Sequence, residues 1–179
     1  MKGKFAPSQI ALHWLVFLLL VVTYATIELR GFAERGSLLR TVMIVTHFSC
    51  GVAILVLMLA RLFLRHRHTS PAITPAPSRW QSALGSLTHA VIYLLFITLP
   101  ILGVASRYYS GRDWMLFGIG MPTSATPNFD LAETLIGWHE TLAPLGYWLI
   151  ALHSAAALFH HYVMKDNTLL RMMPAKRDN

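Results

Sequence analysis

Apolar residues along this chain fall into four long blocks, parted by short segments where charge, glycine and proline collect. No Asp, Glu, Lys or Arg occurs in residues 5–27, 41–60, 80–106 or 141–164, runs of 23, 20, 27 and 24 residues. A helix that crosses a bilayer needs about 20 predominantly apolar residues. The pattern therefore predicts four membrane-spanning helices, over about 8–28, 38–64, 82–106 and 133–164. Pro7 suits the first turn of the first helix. Pro100 is placed to kink the third. Residues 69–79 contain Pro71, Pro75 and Pro77, which predicts an extended linker. The longest connection, 107–135, carries Trp114, Met115, Leu116 and Phe117 among glycines and prolines, and reads as a loop lying on the membrane surface with room for a short interfacial helix. The expectation is one all-α integral membrane four-helix bundle over 1–179, too small for a separate soluble domain. The first block exceeds a typical signal-peptide core and is followed by Glu28, Leu29 and Arg30 instead of a cleavage pattern, so it is expected to remain as a helix.

Composition agrees: 55% of the 179 residues are hydrophobic and only 13% charged. Such a chain is too apolar for disorder. Its single cysteine, Cys50, rules out an internal disulfide framework and reads as a packing residue. Charge then sets orientation. Lys2, Lys4, Arg61, Arg65, Arg67, Arg79, Lys165, Arg171, Lys176 and Arg177 lie on one side of the predicted spans, against five basic residues and most of the acids on the other. The positive-inside rule puts both termini in the cytoplasm. The net charge of +7 is accounted for by topology and contact with the lipid bilayer, and nucleic acid is not expected as a partner.

The candidate chemistry lies in histidine. Nine are present, and His13, His47, His89, His139 and His153 sit inside apolar spans. Ionisable groups at that depth are costly and usually mark function. His139 and His153 are 14 residues apart on one predicted helix, about 21 Å along the axis and within about 40° of one face. One metal ion cannot use both, since its ligands converge to about 2 Å. Two sites can, one near each membrane surface. Depth pairs His47 with His139 on the outer side and His13 with His153 on the inner side. His160, one heptad beyond His153, is the competing partner for His13, but it would put the two sites about 32 Å apart on one helix, too far for a core of about 30 Å. Zinc would favour four clustered ligands, and no C-x-x-C-H is present for covalent haem. Two non-covalent b-type haems, each held from both faces, fit the pattern and suit electron transfer. Gly51, Gly103, Gly137 and Gly146 let a macrocycle or another helix come close. Arg30, Arg40 and Arg107 outside, and Arg61 and Arg65 inside, are propionate partners or simple interfacial anchors. His89 has no evident partner: it bonds a propionate, a quinone or a neighbouring helix.

Around these histidines the chain resembles the bacterial cytochrome b561 family: HW at His13–Trp14, THFSCG around His47, THAVIYLLF from Thr88, WHETL around His139 and ALH ending at His153. The closing HHYVMKDNTLLRMMP, His160 to Pro174, is similar to that of the family's small stand-alone members. The resemblance implies two haem b groups on His13, His47, His139 and His153. It further implies a protein of the bacterial inner membrane that takes electrons from superoxide at the periplasmic face and passes them to ubiquinone, with no obligatory protein partner. His160, His161 and Lys165, with Arg79 and Trp80, would then lie where a quinone headgroup meets the inner haem, though such residues also form ordinary interfacial belts. The alternatives are a haem b subunit of a hydrogenase or dehydrogenase complex and, in another class, a histidine-lined proton or metal transporter.

Overall fold

The computed structural model describes residues 3–174; Lys2, Lys176 and Arg177, used above for orientation, lie outside the described residues. The helices are α1 (Pro7–Leu29), α2 (Leu38–Arg67), α3 (Arg79–Tyr109), α4 (Phe129–Leu142) and α5 (Leu145–Tyr162). Four stretches are long and apolar enough to cross a membrane, Pro7–Phe32, Leu38–Arg67, Arg79–Tyr109 and Phe129–Tyr162. The chain is a multi-pass membrane helical bundle.

Local chemistry starts each helix. The Gln9 carboxamide accepts from Ala6 N–H at 3.2 Å ahead of α1, whose first residue is Pro7. Ser37 Oγ accepts from Arg40 N–H at 3.2 Å at the start of α2. Asn128 Oδ1 accepts from Leu131 N–H at 3.0 Å at the start of α4. These side chains satisfy donors that a helix leaves unpaired in its first turn. α2 and α3 outrun the predicted spans because the helix continues through polar residues past the hydrocarbon, and α3 carries Pro100 without interruption.

Val16, Leu20, Ile54, Met58, Leu95, Phe96 and Leu99, from α1, α2 and α3, form the core at mid-depth. Outward apolar side chains such as Leu18, Leu94 and Trp148 are left for lipid. This inside-out economy is expected where hydrocarbon is the solvent and helices associate through close packing.

The predicted single helix over 133–164 is corrected on two counts. It begins earlier, at Phe129, and it breaks at Ala143–Pro144. Pro144 has no N–H and its ring crowds a carbonyl one turn back, which weakens the helix there; α3 runs on through Pro100, so the break at Pro144 also draws on the partners that the Ala143 carbonyl finds. The freed Ala143 carbonyl accepts from Gly146 N–H at 3.0 Å and from the Tyr24 hydroxyl of α1 at 2.8 Å. A Cβ at Gly146 would overlap that hydroxyl and crowd Phe96. Gly146→Ala is therefore expected to destabilise the bundle by about 1–3 kcal/mol through overpacking, read as a lower thermal unfolding midpoint.

The short interfacial helix anticipated in the loop 107–135 is also corrected: the loop carries a hairpin there instead. Met115–Leu116 and Ile119–Gly120 form a short antiparallel hairpin, turning through Phe117 and Gly118 at φ 51° and 80°. Two consecutive positive φ values make the tight turn whose twist matches paired strands. Trp114 and Leu116 are buried, Trp114 packs edge-on to Phe48 of α2, and Phe117 N–H donates to Ser49 Oγ at 2.8 Å. The hairpin is thus docked on α2.

At the opposite end, which carries both described termini, the tail returns across the bundle. Phe5 N–H donates to Arg171 O at 3.1 Å, Trp14 Nε1 to Met172 O at 2.9 Å, and Thr74 N–H to Asn167 Oδ1 at 2.9 Å. One strap ties the tail to α1 and to the linker between α2 and α3.

Candidate functional site

The fold brings the predicted histidines together in two pairs, stacked along the bundle. His47 of α2 and His139 of α4 face each other with ring centroids 6.2 Å apart. His13 of α1 and His153 of α5 do so at 6.1 Å. A metal bonds an imidazole nitrogen at about 2 Å, and that nitrogen lies about 1.1 Å from its ring centroid, so two imidazoles on opposite faces of one iron place their centroids about 6.2 Å apart. Both pairs match.

In the outer pair the tautomers are set by backbone. His47 Nδ1 lies 3.0 Å from Thr23 O, and His139 Nδ1 lies 2.8 Å from Leu99 O. A carbonyl can only accept, so each Nδ1 carries the proton and each Nε2 keeps a free lone pair. This is the support that metal-ligating histidines ordinarily receive. Around the pair is a cavity of about 580 Å³, walled by α1, α2, α3 and α4, within the size range of cofactor sites. Gly51 and Gly103 line it, and a Cβ at Gly103 would press on the His139 ring at 3.4 Å. The residues fit a haem.

The cavity mouth carries Arg30 and Arg107 together with Glu28 and Glu140. Tyr147 donates to Glu28 at 2.8 Å, and the Arg107 guanidinium stands over the Phe48 ring at 4.9 Å. Arg40, the third outer arginine considered above, instead donates to the carbonyls of Arg30 and Ala33 at 2.9 and 3.2 Å. It closes the turn after α1.

The inner pair is supported differently. Arg61 Nη2 lies 3.0 Å from His13 Nδ1. A guanidinium can only donate, so Nδ1 accepts and the ring proton lies on Nε2. Binding iron there requires that proton to move to Nδ1 and Arg61 to find another acceptor. Cationic groups stand ready for the acidic edge of a macrocycle: Arg61 and Arg65 line a second cavity of about 60 Å³ with His89, Ser70 and Tyr93, and Arg171, whose Nε is buried without a partner, lies within electrostatic reach of His89. The His89 ring is 5.4 Å from that of His153, which gives the unpaired histidine of the sequence a place beside the inner pair.

His160 is not in contact with His13. Its Nδ1 lies 2.5 Å from Asp166 Oδ2. Lys165 and Arg79 are both exposed, with no side-chain hydrogen bond among the described residues. Burial raises the Asp166 carboxyl pKa, but hydrogen bonds from His160 and Thr168 outweigh it and hold the group below its ordinary value. Among the described residues no three His, Cys, Asp or Glu side chains converge as a metal-ion site, in keeping with ligands that come in facing pairs. Asp166, Tyr24 and Ser49 are not marked out by the sequence pattern, though each contributes to the structure. A carboxylate six residues after His160 was the one available signal, and only for Asp166.

Four apolar helices with facing histidine pairs across their interior describe a class of membrane proteins built to hold flat, metal-centred cofactors. A family model for prokaryotic cytochrome b561 matches residues 4–175, and the chain belongs to that family. It is 51% identical to the probable superoxide oxidase CybB of Yersinia pestis, over 99% of both chains. It is 45% identical to cytochrome b561 homolog 1 of Escherichia coli (strain K12), over 98% of this chain and 99% of the relative. Cytochrome b562 of Cereibacter sphaeroides is 31% identical over 92% of each. Membership implies haem b binding and an oxidoreductase role in electron transport.

Proposed function

We propose that the protein holds two haem b groups, on His47/His139 and His13/His153, and oxidises superoxide with ubiquinone as acceptor. The observation that carries this reading is the pair of facing-imidazole sites at about the spacing that one iron requires. The probable superoxide oxidase at 51% identity supports the choice of donor. The bacterial inner membrane, with both termini cytoplasmic, is the location that the distribution of basic residues supports.

Haem, when bound, would supply a one-electron iron couple whose potential the residues holding it and their hydrogen bonds would tune. The chain's own residues do the rest. Thr23 and Leu99 carbonyls keep the outer imidazoles in the ligating tautomer. Arg30 and Arg107 offer positive charge to a small anion at the cavity mouth, while Glu28 and Glu140 moderate it. Leu20, Phe96 and Leu99 exclude water from the middle of the bundle, so the electron crosses without a proton. Two superoxide ions lose one electron each and leave as two oxygen molecules. One quinone takes the two electrons and two protons from the opposite side and leaves as quinol.

Purified protein should contain two haem b per chain and reduce a soluble ubiquinone when superoxide is generated enzymatically, consuming two superoxide ions per quinol. The reading is overturned by absence of haem, by haem that superoxide does not reduce, or by activity that needs a second protein.

A further inference from the structure

We propose that Asp166 is a positioning residue for His160, holding its Nδ1 proton so that the Nε2 edge delivers a proton to the quinone. The inference rests on ubiquinone being the acceptor. His160 is in the last turn of α5, seven residues past His153, which places it about 10 Å further along the axis and about 20° from the same face. It therefore lies beyond the inner pair at the end carrying the termini. The adjoining Phe159, Tyr162 and Val163 are 49%, 71% and 62% exposed and offer an apolar approach from lipid.

Asp166 is only 6% exposed, and its contacts are complete. Oδ2 faces His160 Nδ1 at 2.5 Å, Oδ1 accepts from Thr168 N–H at 2.8 Å, and its own N–H donates to His160 O at 3.1 Å. Lys165, at φ 55°, makes the left-handed turn that returns the carboxylate to the helix end. Because an ionised carboxylate only accepts, Nδ1 must carry hydrogen in every state of the ring. Proton exchange is confined to Nε2, the orientation that a general acid with a fixed rear partner requires. The His160 side chain is 20% exposed, so it can be reprotonated from water. Each quinone needs two electrons, which arrive singly through the inner pair, and two protons: His160 delivers one to the quinone oxygen that faces its Nε2, and the oxygen at the far end of the ring takes the other from water.

The test uses haem-loaded protein in lipid nanodiscs, reduced chemically without superoxide and mixed anaerobically with ubiquinone-1, with haem reoxidation followed optically. In Asp166→Asn the maximal rate should fall about tenfold or more, a part of the roughly 100-fold or greater contribution of a positioned general acid, with the half-saturating quinone concentration little changed. His160→Gln should fall equally, the double variant should be no slower than either single one, and Asp166→Glu should recover most of the rate. Nitrogen NMR of the imidazoles should show His160 protonated at Nδ1 in the parent and lose that bias in Asp166→Asn. A parent-like rate in Asp166→Asn overturns the proposal alone, as does a loss that appears only in the half-saturating concentration. Should Asp166→Asn fail to assemble, His160→Gln decides by the same criterion. Reduced parent protein that quinone does not reoxidise overturns the acceptor reading and this proposal with it.

Discussion

Replacing His47 or His139 with alanine is expected to lower the haem content from two per chain to one and to abolish reduction by superoxide. Either change would leave a single imidazole in a cavity lined by two, because the rings at 6.2 Å are the proposed grip on the iron. Loss of a histidine's supporting partner alone costs about 10–100-fold in metal affinity, and loss of the ligand itself should exceed that. The two variants should be alike, and both should keep the inner haem, whose ligands come from α1 and α5. Haem quantification with low-temperature absorption spectra checks the result. Equal loss of both haems from either variant would mean that the pairs are not independent sites.

The second large effect is a separation of functions at the other end. His153→Ala is expected to leave the outer haem reducible by superoxide while ubiquinone reduction falls to background. His160→Ala should keep both haems, because His160 is committed to Asp166 and makes no contact with His13. Superoxide-driven reduction of the outer haem, measured together with quinol formation, distinguishes the two variants. A His160 variant that lost the inner haem while His153→Ala retained it would invert the pairing.

Four spans were legible because hydrocarbon demands long uncharged runs, and little else in a chain this short competes with that signal. The pairing was legible because depth along alternating helices limits which histidines can meet. What escaped was set by geometry across the bundle. Pro144 stood in plain view, yet the apolar run continued through it, and the break depends on a carbonyl captured by Tyr24 of another helix. Trp114 to Phe117 has the composition of an interfacial helix, and it folds as a hairpin because Phe117 and Gly118 turn and Ser49 receives the tip. Arg40 reads as a propionate partner or an interfacial anchor until its two backbone acceptors are visible. Asp166 sits in a tail whose polar residues suggest solvent, and it is buried where that tail turns back on His160 and is tied to α1 and the proline linker.

The two histidine pairs also differ in what holds their rear nitrogens. Thr23 and Leu99 contribute only main-chain oxygens to the outer pair. Substitution at either position leaves the carbonyl acceptor in place, so the Nδ1 protons of this pair are held by the paths of α1 and α3 and not by a side chain, although Leu99 is itself buried in the core. His13 Nδ1 faces a side chain instead, the Arg61 guanidinium, which a single codon change can remove. Inherited variation therefore reaches the rear nitrogens unequally: those of His47 and His139 meet main chain, and that of His13 meets a side chain that one substitution can replace.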